Sequence, residues 1–195
     1  YGESHVNTHY RMISDNLNIP FNYFLFTDNI SGHYNSNIKV CKLWDYCRPL
    51  GGCYNRLFSF SKDMLPLVGD RAIYMDLDMI ITGDITRLLD RDEDFVYYKM
   101  RNASGPGQRM NNGMYMMTTG SRDFIWEEFI SDPQQAINMR KGAGTDQGWT
   151  NYRLDLENEA HWTQGVDGIY DMRQDIIFGK GVLPENCKIH TLIIN

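Results

Sequence analysis

Residues Ala72 to Ile81, AIYMDLDMII, are the longest strand candidate in the chain, and two carboxylates, Asp76 and Asp78, interrupt it. The near absence of alternation predicts a strand covered on both faces, as in a parallel sheet, and places it at the centre of the fold. Charges in such a strand lose hydration and repel each other unless something compensates them. Side chains two apart in an extended chain point the same way, so Asp76 and Asp78 would face one site and Leu77 the opposite layer. If the strand instead ends at Met75, a turn splays the pair while keeping it close. All-oxygen ligands of this kind suit a hard divalent cation, Mg2+ or Mn2+, which would in turn hold phosphate. The structural alternative is a pair bonded to arginine or to backbone amides at a helix start.

The pattern on either side reads as alternating helices and strands. Asn7-Thr8 offers a cap for a helix whose apolar positions are Tyr10, Ile13 and Leu17, ending before Pro20. Residues 23–26, YFLF, read as a strand that stops at Thr27-Asp28-Asn29, and residues 38–43 as a strand with one face in the core. Between residues 49 and 69, Leu57, Phe58 and Phe60 anchor a helix against the sheet, with Arg56 among them. Residues 85–89 begin a short helix, and residues 95–98 and 114–117 are strands. The polar stretch NASGPGQRMNNG before the second of these is expected to be loop. Ser121 caps RDFIWEEFI, Asp132-Pro133 opens QQAINMR, and Thr145 begins TDQGWTNYRL. Beyond Leu154 the pattern is mixed up to a strand over residues 188–194. The expectation is an α/β fold: a mostly parallel central sheet flanked by helices, with ligands at the carboxyl ends of the strands.

A chain of 195 residues fits one domain, residues 1–195, with a core of its own. Its net charge of −6 argues against gripping nucleic acid through phosphates, and any anionic ligand needs a neutralising partner. No apolar run approaches the about 18–20 residues that span a bilayer, and no signal-like leader opens the chain, so a soluble, cytoplasmic protein is expected. Cys41, Cys47, Cys53 and Cys187 fit neither a C-x-x-C zinc pair nor a dense disulfide framework, and read as buried free thiols in a reducing compartment. Tyr1 in place of Met and the apolar end Leu192-Ile193-Ile194 read as cut termini, with partner domains possible beyond them.

The order RLFSFSKDMLPLVGDRAIYMDLDMIITGDITRLLD resembles the donor-binding core of glycosyltransferases with the GT-A fold, Rossmann-like enzymes whose D-x-D turn binds a metal bridging a nucleotide-sugar diphosphate. Downstream, MNNGMYMMTTG resembles the Asn-Asn/Ala/Ser-Gly/Ser stretch of retaining enzymes of the glycogenin and lipopolysaccharide-galactosyltransferase type. Thr145-Asp146-Gln147 is similar to their Asp-Gln pair near the transferred sugar. These segments keep the family's order over about residues 21 to 153.

The resemblance implies a metal-dependent hexosyltransferase that moves a sugar from a nucleotide donor, a UDP-sugar, to a glycan or other hydroxyl acceptor. Asp76 and Asp78 would be the metal ligands. Thr27 and Asp28 would line the nucleoside pocket, Arg56 would reach the diphosphate, and Asp76 and Leu77 would join donor binding. Asn111, Asn112 and Gly113 would meet the sugar, and Asp146 with Gln147 would be catalytic. The usual first strand and its aromatic loop over the nucleobase are represented only by Tyr1-Gly2, which gives Tyr1 a donor-binding role. His190 starts its predicted strand and takes no metal role, so a third ligand would lie past Asn195.

Ordinary structural roles stand beside each of these. Asp28 reads equally as a turn residue, Arg56 as a side chain packed along its helix, and Asn111 to Gly113 as a turn. Asp146 reads as a residue favoured by the helix dipole. Trp149, His161 and Trp162 either stack on an acceptor sugar or belong to the core, and the eleven methionines read as pliable core. Two rivals remain: a haloacid-dehalogenase-type phosphatase with Asp76 as nucleophile, and a nucleotide-sugar-binding module without turnover. Ile80 and the lack of a late Asp-Asp pair depart from the first.

Overall fold

The computed structural model describes residues 1–44, 52–101, 110–139, 145–172, 175 and 181–191. In chain order it has α1 (Glu3–Asn16), β1 (Tyr23–Thr27), β2 (Ile38–Lys42), a 3-10 helix (Gly52–Phe60), α2 (Leu65–Val68), β3 (Arg71–Met75), β4 (Met79–Ile81) and α3 (Thr86–Leu89). Then follow β5 (Phe95–Lys99), β6 (Met110–Thr118), α4 (Phe124–Ser131), α5 (Pro133–Ile137), α6 (Asp146–Arg153), β7 (Ala160–Thr163), β8 (Ile169–Asp171) and β9 (Ile189–Thr191). The chain divides into two compact units. One gathers Tyr1–Lys42, Met75–Asp92 and Trp162–Asn195, the other Leu43–Tyr74 and Glu93–His161.

In the first unit α1 buries Val6, His9 and Ile13, a stripe at helical spacing. Strands β1 and β2 pair in parallel, Tyr23 beside Ile38 through to Thr27 beside Lys42. Val6, Leu25 and Ile38 form a small core, and Tyr10, Tyr34 and Leu77 are among the partly buried side chains packed on it. A separate three-stranded sheet runs β4-β9-β8, in which β9 pairs antiparallel with β4 and parallel with β8. The indole N–H of buried Trp162 donates to the Leu88 carbonyl at 2.9 Å.

The second unit is built on a sheet of order β3-β6-β5-β7, with β5 and β6 antiparallel. Tyr115 on β6 stacks on Phe60 at 5.1 Å and on Tyr74 at 5.0 Å between ring centres. Its hydroxyl lies 2.5 Å from that of Ser59, while Tyr74 donates to the Ser59 carbonyl at 3.1 Å. Leu57, Phe58 and Phe60 are buried as expected, although on a 3-10 helix.

Several expectations are corrected. Among the described residues the sheets are mixed, with pairings of both senses, in place of the mostly parallel central sheet expected. The run from Ala72 to Ile81 is two strands, β3 and β4, because Asp76 to Asp78 form a turn; β3 lies at the end of its sheet order and is half-buried throughout. Among the described residues the longest strand is β6, which begins at Met110, so MNNG is strand and not loop, while residues 102–109 of the predicted loop lie outside the described residues. Helix α1 starts at Glu3 on a Gly2 cap, four residues before the Asn7-Thr8 expected to cap it. Ser121 does not cap α4, whose N-cap is Asp123; its hydroxyl donates to the Asp94 carbonyl. Asp132 and Thr145 cap α5 and α6 as the sequence predicts. Cys41, Cys53 and Cys187 are free, but Cys53 is exposed and the others half-buried; Cys47 lies outside the described residues, as does the strand predicted beyond Thr191.

Two substitutions test this packing. His9 is 2% exposed, its Nδ1 lies 3.0 Å from the Tyr23 hydroxyl and its Nε2 has no partner among the described residues, so burial lowers its pKa from 6.5 to about 4. The unfolded chain therefore binds a proton that the folded one refuses. Stability from this site is full above pH 6.5 and falls as pH drops from 6.5 towards about 4, by up to about 3 kcal/mol. Denaturant titrations at pH 7.5 and 4.5 should show this acid loss shrinking in His9→Gln. Gly168 has φ +83°, and a Cβ there would meet the Asn186 carbonyl oxygen at 2.5 Å, so Gly168→Ala should lower stability by about 2–3 kcal/mol.

Candidate active site

The first group of candidate residues belongs to the first unit. Where the apolar run breaks, the Met79 amide donates to the Asp76 carbonyl at 3.1 Å, closing a four-residue turn with Leu77 and Asp78 at its centre. The two carboxylates are therefore splayed on a turn, the arrangement expected if the strand stops at Met75. All three residues are half-buried, and Leu77 packs on the Val6, Leu25 and Ile38 core, which fixes the turn by its middle residue. Tyr1 is 69% exposed, yet its phenol is held above its ordinary pKa by desolvation, then by the Asp78 charge and a hydrogen bond to it, then by Asp76. Tyr1 thus stands at the acidic turn. Thr27 ends β1 and its hydroxyl accepts the Asn29 amide at 3.1 Å, while Asp28 is exposed beyond it.

Among the described residues no cluster of three or more His, Cys, Asp and Glu side chains is arranged to hold a metal. Asp76 and Asp78 alone nevertheless fit one class of cation. Mg2+ and Mn2+ are commonly held by one or two carboxylates, with substrate phosphates and water completing the shell. His190 is buried as the second residue of β9, near the start of its strand as expected, and pairs with Ile80 and Tyr170 on the neighbouring strands.

The second group lies in the second unit. Asp146, the first residue of α6, is 4% exposed, a position that demands compensation for its charge. The Asn112 side-chain amide donates to it at 3.1 Å and the Arg56 guanidinium stands 3.5 Å away, while the N-terminal end of α6 adds a favourable dipole. Arg56 also donates to the Asn112 carbonyl at 3.1 Å, and the Asp146 amide donates to the Cys53 sulfur at 3.4 Å. Gln147 accepts the Asn112 backbone N–H at 3.3 Å. These residues expected from the sequence, Arg56, Asn112, Asp146 and Gln147, form one network.

The strand supplies that network through an irregularity. Tyr97 pairs with Tyr115 but Tyr98 pairs with Asn111, so residues 112–114 are extra on β6 and bow out of the ladder. The Asn111 side chain accepts the Gly113 amide at 2.7 Å, stabilising the bow. Within it, the buried Asn112 Oδ1 has no partner among the described residues.

Sequence reasoning missed Thr150 and Asn151. Thr150 accepts from the Asn112 amide at 3.3 Å and donates to the Asp146 carbonyl at 2.9 Å. Asn151 accepts from the Met110 amide at 2.9 Å and donates to the Met110 carbonyl at 3.1 Å, imitating a neighbouring strand where β6 begins. Their spacing of four from Asp146 and Gln147 is the available signal, since it stacks them on one helix face. The two tryptophans belong to the core: Trp149 and Trp162 are each 1% exposed, and the Trp149 indole donates to the Ile125 carbonyl at 2.9 Å. His161 is half-buried, its Nε2 3.5 Å from the Lys99 amine.

No family model matches the chain, and no curated protein matches it. Solved structures do. A crystal structure of the glycosyltransferase GlyE of Streptococcus pneumoniae TIGR4 matches with a TM-score of 0.63 at 17% identity, covering 97% of this chain and 52% of GlyE. The apo form of GlyE matches with a TM-score of 0.55 at 21% identity, covering 81% and 41% respectively. The chain spans about half the length of the structures it matches, and shares with them a glycosyltransferase fold.

Asn151→Ala removes the pairing at Met110 and a further bond to the Gln147 carbonyl. It should cost about 3 kcal/mol of stability in urea unfolding. Asn151→Asp, which can still accept from the Met110 amide, should recover only part of it.

Proposed function

We propose that this chain is the donor-binding part of a GT-A glycosyltransferase that moves a sugar from a nucleotide-diphosphate sugar, a UDP-sugar first of all, to a hydroxyl of a glycan or other acceptor with retention of configuration. The carrying observation is that a fold shared with a glycosyltransferase over 97% of the chain presents Asp76-Leu77-Asp78 as a half-buried acidic turn. The buried Asn112 Oδ1 supports the reading: it is an acceptor lacking a donor among the described residues, a role a sugar hydroxyl would fill.

In this proposal Asp78 would hold Mn2+ or Mg2+, and Asp76 would meet the ribose or the ion through water. Such an ion, when bound, takes up negative charge developing on the departing diphosphate. Tyr1, Thr27 and Asp28 serve the nucleoside, and Arg56 adds positive charge while keeping Asp146 and Asn112 in place. The sugar C1–oxygen bond breaks with its electron pair leaving on the diphosphate; the acceptor oxygen bonds to C1 and its proton passes to the leaving phosphate. Asp146 is the candidate for stabilising the oxocarbenium-like transition state, with Gln147, Asn111 and Gly113 as candidate sugar contacts. The free thiols of Cys41, Cys53 and Cys187 suit a cytoplasmic setting.

Incubation of the chain with a panel of UDP-sugars and Mn2+ should release UDP and transfer sugar, and Asp78→Asn should reduce the rate by about 100-fold or more. Asn112→Ala should weaken donor-sugar discrimination. UDP-sugar binding seen as a thermal shift, with no product from any acceptor, would make the chain a binding module; no shift and no turnover with any donor would remove the proposal.

A further inference from the structure

The first unit carries a recess that shares no residue with the acidic turn. An open cleft of about 560 Å3 lies between α1 and the segment around Tyr34, within the range of about 300–1,000 Å3 typical of small-ligand sites. Asn7 straps its two walls together: the side-chain amide donates to the His33 carbonyl at 3.1 Å, and its oxygen accepts the Asn35 amide at 2.7 Å. The cleft is thus held open in advance, which lowers the ordering cost of binding.

Its lining combines two kinds of surface. Tyr10 and Tyr34 both contribute and both pack on the Val6, Leu25 and Ile38 core. The Tyr34 hydroxyl donates to the Asn29 carbonyl at 3.0 Å, and its ring lies so close to Gly32 that a Cβ there would come within 2.7 Å. The Tyr34 ring is therefore held in place, and Tyr10, packed on the same core and edge-on to Tyr23, adds a second aromatic side chain to the lining. Around them stand the Thr8 and Ser14 hydroxyls and the Arg11 guanidinium, which make no hydrogen bond or ion pair among the described residues. No Asp or Glu lines the cleft, so a cation has nothing to bind. Arg11 is the one permanent cation of the lining, since the His33 side chain is 97% exposed and stands 3.9 Å from Glu3, so a polyanion would meet a single fixed positive charge.

Apolar ring surface bordered by exposed hydroxyl and guanidinium groups, which have no partner among the described residues to give up, matches a ligand that is apolar on one face and hydroxylated at its rim. We propose that this cleft binds a neutral oligosaccharide, one pyranose face against Tyr10 and Tyr34, its hydroxyls bonded by Thr8, Arg11 and Ser14. The inference goes beyond the transfer reading, since binding here needs neither a donor nor turnover.

Isothermal titration of the whole chain with maltotriose, cellotriose and N,N′-diacetylchitobiose, free of nucleotide sugar, tests it. At least one should bind. Arg11→Ala should weaken that binding about tenfold, and Ser14→Arg, an exposed position whose new side chain fills the cleft, should abolish it with thermal unfolding unchanged. Asp78→Asn should bind the saccharide like the parent chain, which separates this outcome from any failure of transfer. The proposal is overturned if none of the three binds, if only sodium pyrophosphate binds and Arg11→Ala removes it, or if binding survives Ser14→Arg.

Discussion

A carboxylate buried to the extent of Asp146 is tolerable only where positive charge and donors meet it, and much of the second unit is arranged to do so. The requirement reaches three elements at once. The 3-10 helix brings Arg56, the start of α6 sets the group at the positive end of its dipole, and the bowed strand β6 offers the Asn112 amide. Removing any one partner would leave the others facing an uncompensated charge. The bow in β6 follows the same logic, because a regular ladder would hold residues 112–114 in register with β5 and away from α6.

The acidic turn of the first unit solves the opposite problem. Asp76 and Asp78 are not deeply buried and stay half in contact with solvent, while Leu77 between them is seated on the Val6, Leu25 and Ile38 core. Leu77 is the anchor of the turn, and partial contact with solvent keeps the cost of its two charged neighbours small.

What the sequence made legible follows from the range of the forces involved. Caps at Asp132 and Thr145 are local chemistry and were readable, as were β1 and β2, whereas the bond between Asn112 and Asp146 joins two motifs that the sequence showed only separately. The division of residues 72 to 81 was readable only as an alternative, since apolar composition cannot show where a strand turns. The mixed sheets were not readable, because strand direction is set by partners distant in sequence. Nor were β7 and β8, whose strands of four and three residues carry too little pattern to stand apart from loops. Asn151 acts on backbone atoms of Met110, a kind of contact that no side-chain motif encodes.

Strand β9 has a bearing on synthesis. It joins β4 to β8 by pairing Met79 with Thr191 and Ile169 with Ile189, so this sheet forms only once Ile189 to Thr191 have been made. A ribosome delivers Leu43 to Tyr74 and Glu93 to His161, the whole of the second unit, before β8 and β9 exist. The second unit is therefore able to collapse while its companion still waits for its last strand, and the exposed edge of β4 during that wait is where a nascent-chain chaperone would find its purchase.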